Sequence, residues 1–435
     1  MGMRGVWMAV VPLVATIACA EAAERVAVEP LVAAARRALL RVVEGRHLAL
    51  ITDVPRRPGD GIDELPGLFD EAFIVWCRHF GVDPADHDGW RACGSLVVDR
   101  ETFRAAGLLP VDGSVPDFVN GFCDRNRFWL TEQSNPAYRR HLLLHEGVHA
   151  FTLTVKAADP PPWYTEGIAE YLATHRLDAG RFVPTPIPRR AADVEQLGRI
   201  EALDRLRRDG RRPGLAEVLA QPSSAHRSIP AYASSWAAVA LLATHPAHAG
   251  PFATAERRPI GADFNARLAA TPGFDARRAA RDFDAFLDDL DYGYDTGRMA
   301  IDWSSGPVAT APARVAVAAD RGWQNSGVSL VAGRRYRLRA TGRCRVGTTG
   351  SIELQSEPDG ISYDWYRGRP IGRLLAAQWR EAADGGRGGF GVVADGAVGD
   401  FRAPVDGTLF VRINEAPGAL ADNSGSMTVE LVPGQ

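Results

Sequence analysis

The stretch HLLLHEGVHAF, residues 141–151, carries histidines at 141, 145 and 149, with Glu146 inside the second interval. Residues four apart stand one turn apart on one helix face, so the segment must be helical for two of these imidazoles to meet. His141 and His149 are separated by roughly 12 Å along such a helix and cannot share an ion. Of the remaining pairs, His145 with His149 has a carboxylate beside it, whereas His141 with His145 is flanked only by Arg140, Leu142 and Leu144. The register is therefore His145 and His149, both aiming a ring nitrogen at one zinc ion. Glu146 is placed to take a proton from a water that the ion activates. His141 is left on the helix surface or outside the coordination sphere.

A third ligand has to come from elsewhere in the chain. Pro160, Pro161 and Pro162 break the first helix, and WYTEGIAEYLATH reads as a second helix that can fold back beside it. Glu166 and Glu170 lie one turn apart on it. One can bind zinc while the other accepts the second ring N–H of a ligand histidine. We assign Glu166 to the metal and Glu170 to the supporting contact; spacing alone also permits the reverse, or an amphipathic helix with no metal role.

His-Glu-Gly-Val-His followed by Trp-Tyr-Thr-Glu-Gly-Ile-Ala-Glu-Tyr resembles the gluzincin metallopeptidases, over about residues 90–300. The resemblance implies His145, His149 and Glu166 as zinc ligands, Glu146 as general base and Glu170 in the supporting position. It also implies a strand along the cleft edge that pairs with the substrate backbone. Asn126, Phe128 and Trp129, in NRFWL, are the candidates. Tyr232, which opens the AYASSWAAV helix, is the candidate for stabilising an oxyanion, with core packing as the alternative. The Gly-x-Met-Glu-Asn stretch of aminopeptidases does not occur, which favours endopeptidase action or a specialised substrate.

The pattern elsewhere implies an α+β metallopeptidase domain over residues 24–300: a mixed sheet with helices, the active-site helix, then a mostly α lobe. Val26 to Arg46 reads as a helix, and HLALITDVP, SLVVDRETF and NRFWL as strands. Around residue 303 the texture changes to short alternating strands with Gly and Asn turns, predicting an all-β sandwich over 303–435. Its segment FVRINEAPGALADNSGSMTVEL clusters oxygen donors between two strands, as calcium requires. Together with WQNSGVSLVAGRRYRLRATG, it resembles the PA-I galactophilic lectin of bacteria. Carried over, Glu415, Asp422 and Asn423 would give side-chain oxygens, and Val346 and Ala419 carbonyls. Glu415 replaces a shorter aspartate, and Glu357-Pro358-Asp359-Gly360 lacks the lectin's sugar-contacting histidine and glutamine. A sandwich binding calcium alone, or nothing, is the alternative to a sugar-binding one.

Residues 1–20 have a basic start, an apolar run and Ala18-Cys19-Ala20, the pattern of a secretory signal peptide; lipidation at Cys19 is the alternative. Export permits a disulfide among Cys77, Cys93 and Cys123, with free thiols as the alternative. A net charge of -3 provides no basic field for nucleic acid, and no later stretch is long and apolar enough for a membrane span. The sequence therefore predicts a secreted, periplasmic or surface zinc metallopeptidase that cuts protein or peptide, with carbohydrate as a further partner of the sandwich. A non-catalytic glycan-binding protein on a peptidase-like scaffold is the alternative, and hydrolysis of a non-peptide bond would use the same residues.

Overall fold

The computed structural model describes residues 25–156, 158–195, 197–381 and 387–434. The expected signal peptide and Cys19 lie outside them.

A mixed five-stranded sheet opens the chain: β1 (Arg41–Glu44), β2 (Leu48–Thr52), β3 (Ala92–Val97), β4 (Gly121–Asp124) and β5 (Arg127–Thr131), in the order β1-β2-β3-β5-β4. The three central strands are parallel, and both edges are antiparallel. Every residue of β2 and β3 is buried, as expected of parallel strands covered on both faces. On one face α1 (Val28–Arg37) packs Val32 and Ala35 against Ile51, Cys93 and Trp129, and α3 (Arg100–Ala105) adds Phe103 to the same core. On the other, α2 (Leu65–Phe80) and α4 (Pro136–Val155) cover Leu48, Leu50 and Phe128 with Phe69, Phe73 and Trp76. The first helix is shorter than its periodicity suggests. Leu39 turns through a φ of 58°, and Arg41–Glu44 becomes a strand because its backbone pairs with β2. Cys77 and Cys93 belong to the cores on opposite faces, and all four described cysteines are free, which is the free-thiol alternative rather than a disulfide.

After α5 (Pro162–Ala173) and the β6–β7 hairpin (His175–Asp178, Arg181–Pro184), helices dominate through α6 (Arg199–Arg208), α7 (Leu215–Leu219), α8 (Ile229–Thr244), α9 (Ala249–Glu256), α10 (Phe264–Ala270) and α11 (Ala276–Asp289). From β8 (Ala313–Ala318) to β18 (Ser424–Pro433) the chain is β-rich, forming two packed sheets. The layout is thus mixed α+β followed by a β-rich region. Both regions share a buried seam, where Ala285 of α11 meets Ile301, Trp323, Leu375, Ala377 and Phe410. An ion pair, Arg412 Nη1 to Asp289 Oδ2 at 2.8 Å, is enclosed there. Among the described residues no helix is long and apolar enough to cross a membrane.

Candidate metal centre

Asn135 starts α4 by accepting the N–H groups of Ala137 and Tyr138, and Pro136 occupies the first turn, where no N–H is needed. Two glycines seat the ligand helices. A Cβ at Gly147 would lie 2.5 Å from the Phe69 ring, and one at Gly167 would lie 2.5 Å from Ser235 O of α8. The helices approach their neighbours more closely than any larger residue allows.

This packing brings three donor atoms together. His145 Nε2 is 3.1 Å from His149 Nε2 and 3.3 Å from Glu166 Oε2, which lies 3.7 Å from His149 Nε2. A tetrahedral ion with bonds of about 2.0–2.1 Å separates its ligands by about 3.3 Å, so the triangle fits zinc. Glu166 Oε2 is buried without a hydrogen-bond partner, which a ligand oxygen in want of a cation would be. Burial opposes it, yet the two histidines hold the Glu166 carboxyl well below the usual range. Burial likewise opposes charge on His145, but Glu166 and Glu170 push it up to about 10. Two carboxylates facing one imidazole favour positive charge between them.

Glu170 sits on the far side of His145. Its Oε1 lies 3.3 Å from His145 Nδ1, and its Oε2 accepts from His141 Nε2 at 3.1 Å and from Arg199 Nε at 2.9 Å. Since Nδ1 faces Glu170 while Nε2 faces Glu166, the former carboxylate orients the ring and the latter shares its ligand triangle. His141 and His145 with Glu170 also form a compact His/Glu group. There, however, Glu170 is committed to Arg199, so the register His145/His149/Glu166 is the better cradle. His141 is buried rather than on the helix surface. Arg199 has no spacing signature in the sequence; it reaches the site from α6, and only the tertiary fold reveals it.

Glu146 is 6% exposed, and burial pushes its carboxyl up from the usual range. Its Oε1 lies so close to β4 that a Cβ on Gly121 would be 2.3 Å away. Tyr232, in the first turn of α8, stands 6.2 Å from His145 between ring centroids, with the Arg199 guanidinium 5.8 Å from its own ring. Burial raises its phenol, keeping it protonated and able to donate. Asn120, Gly121, His145, Glu146, Arg199 and Tyr232 line one cleft of about 720 Å³.

The proposed cleft strand has to be corrected. β5 is paired on both sides, by β3 and by β4, and Phe128 and Trp129 are buried in opposite cores. Asn126 is tied to Val26 and to Arg91 O. The strand with an open side next to Glu146 is β4.

In the sandwich, Glu415 and Asn423 are 5% and 6% exposed, and Glu415 Oε2 and Asn423 Oδ1 are buried without hydrogen-bond partners. Burial, with nearby Asp364 and Asp422, pushes Glu415 up to about 7. Asp422 is exposed; its Oδ2 approaches Gly347, which follows Val346 on β11 (Cys344–Thr349). Ala419 lies in the turn Pro417–Asp422. Asn414 donates to Tyr366 O, Arg369 O and Pro370 O, which gives it a structural role. Two orphaned buried oxygens, one carboxylate and one amide, near a second carboxylate suit a hard cation. The same loop is pressed against the helical lobe: Leu420 joins the lobe's core, and a Cβ on Gly418 would lie 2.3 Å from Tyr292 O.

No family model matches the chain, and no curated protein matches it. Among solved structures, the EclA N-terminal domain, described as a PllA-like lectin, is similar at a TM-score of 0.21 and 24% identity, covering 28% of this chain and 95% of that one. An aminopeptidase N family protein from Idiomarina loihiensis is similar at a TM-score of 0.35 and 13% identity, covering 91% of this chain and 69% of that one.

Proposed function

We propose that the chain is an exported zinc metallopeptidase of the gluzincin type, hydrolysing peptide bonds, whose β-sandwich holds a calcium ion and positions the enzyme on carbohydrate or another surface. The convergence of His145, His149 and Glu166 into a triangle of 3.1–3.7 Å beside the buried Glu146 carries this reading.

Zinc, when bound, would polarise the scissile carbonyl and make an attacking water acidic near neutral pH. The chain's own groups do the rest. An extended substrate lies along the open side of β4, its backbone pairing with Gly121–Asp124. Glu146, beside that strand, takes the proton from the water and passes it to the leaving amine. Its raised affinity for protons suits both halves of the transfer. Tyr232 donates to the oxyanion as the carbonyl becomes tetrahedral. Glu170, fixed by Arg199 and His141, keeps the His145 ring turned so that Nε2 faces Glu166. In the sandwich, Glu415, Asp422 and Asn423 would hold calcium, with the Val346 and Ala419 carbonyls completing its shell.

Glu146→Gln tests the assignment. Peptide cleavage should fall by about 10²–10⁴-fold while bound zinc stays at one equivalent in this site. Undiminished cleavage by the variant would overturn the mechanism.

A further inference from the structure

A second group of ligand-type side chains lies at the other end of α8. Tyr232 stands near the start of that helix and His245 just past its end, about 20 Å apart along the axis. His245, His248 at the start of α9, and Asp282 of α11 are all buried, and one donor atom from each lies within 4.8 Å of the others. We propose that this cluster is a second, structural metal site, for zinc or a similar transition ion, that pins the α8–α9 corner to α11.

Hydrogen bonding alone accounts for only part of the arrangement. His248 Nε2 donates to Asp282 Oδ2 at 2.8 Å, but His245 Nε2 is 3.9 Å from the same oxygen, too far for a hydrogen bond. The two rings stack at 4.7 Å and 26°, so both are brought to one carboxylate. His248 Nδ1 is buried with no partner at all. Two imidazoles and a carboxylate form the nitrogen-and-oxygen donor set that zinc accepts. The carboxylate is also oriented from behind, because Trp303 Nε1 donates to Asp282 Oδ1 at 2.7 Å, as ligating carboxylates usually require. Trp303 leads into the sandwich and packs against Trp379 and Phe410. An ion on Asp282 would therefore stiffen the seam between the two regions.

Two neighbours must adjust. Binding through the two Nε2 atoms moves each ring's proton to Nδ1: on His248 this ends its donation to Asp282 Oδ2, and on His245 it gives up the 3.2 Å contact from Ala247 N–H. Arg278, with its Nε 3.5 Å from Asp282 Oδ2 and its side chain 42% exposed, has to swing toward solvent. These changes are local, and none touches the cleft.

Metal content separates the two sites. The full chain is loaded with zinc, passed through a desalting column and analysed for bound metal, alongside His149→Ala/Glu166→Gln and the same variant carrying Asp282→Asn. The expected values are about two, one and zero equivalents. Cobalt in place of zinc should give the first-site variant a visible absorption band that is absent once Asp282 is replaced. A folded His149→Ala/Glu166→Gln chain that retains no metal would overturn the proposal, whatever the triple variant does. A wild-type chain holding one ion that survives His149→Ala/Glu166→Gln would support the second site and count against the first.

Discussion

The candidate metal centre on the helices and the candidate calcium loop of the sandwich would hold a cation in opposite ways. In the first, the candidate ligands ride on regular helices, so spacing fixes their direction and packing at Gly147 and Gly167 fixes their depth. In the second, the oxygens come from a loop whose direction depends on what it packs against, here the helical lobe through Leu420 and Gly418. Each helix keeps its own side chains in register and needs its neighbours only for depth, whereas this loop depends on its neighbour for direction as well. The comparison also separates their chemistry: all ten histidines precede residue 303, so the sandwich has none.

The most severe test of how far the regions depend on each other is Arg412→Met. Arg412 spans the seam, donating to Asp289 and to Glu415 O, and both Arg412 and Asp289 are buried. Removing one partner of a buried pair costs about 3–5 kcal/mol. Arg367, 3.1 Å from Asp289, keeps some of the charge compensated, so the lower end is expected. Thermal unfolding should drop or split into two transitions. An unchanged single transition would mean the two regions stabilise each other little.

Acid should strike the histidine-bearing region next. His175 is buried, stacks on Phe182 and donates to Ala173 O; burial lowers it to about 4. Its folded value lies below the ordinary 6.5, so the unfolded state binds more protons between those values. Stability is then full above pH 6.5 and is lost as pH falls toward 4, by up to about 3 kcal/mol. Urea titrations at pH 7.5 and 4.5 should show this loss, with His175→Gln flattening the difference. An equal pH slope in the variant would assign the loss to other groups.

Around the candidate metal centre the expected effects are smaller. Glu170→Ala should weaken zinc binding by about 10–100-fold, because His145 loses the partner that sets its ring. His141→Ala removes only one of the contacts that hold Glu170, so zinc stoichiometry should stay unchanged and affinity within about tenfold. Competition with a chromogenic chelator reads both. Equal losses in the two would show that His141 belongs to the coordination itself.

Much of this arrangement was legible because a helix converts sequence spacing into direction: His145 with His149, and Glu166 with Glu170, stand one turn apart on their own helices, and Glu146 follows His145 beside the cleft. Arg199 and the His245, His248 and Asp282 cluster were not, since their partners come from elements distant in sequence. Strand order was hidden for the same reason. NRFWL has the composition of a strand, but only pairing with GFCD shows that it is interior and that β4 takes the edge. Apolar spacing persists through Val42, beyond the end of the first helix, where the backbone is claimed by β2.

The smallest effect sharpens the comparison most. At pH 8 Glu415 is ionised in a site that favours its protonated form, so a cation binding there should relieve the cost of the buried charge. Calcium at ten times its dissociation constant would add about 1.4 kcal/mol, a rise of about 2–4 °C in melting temperature. Glu415→Gln keeps the shape, removes the charge and should abolish the rise, while leaving zinc in the helical centre. If calcium stabilised the variant as much as the parent chain, the loop would not be the site. Glu415 and Asn423 would then be a strained polar seam, kept by the packing of Leu420 and Gly418 against the lobe.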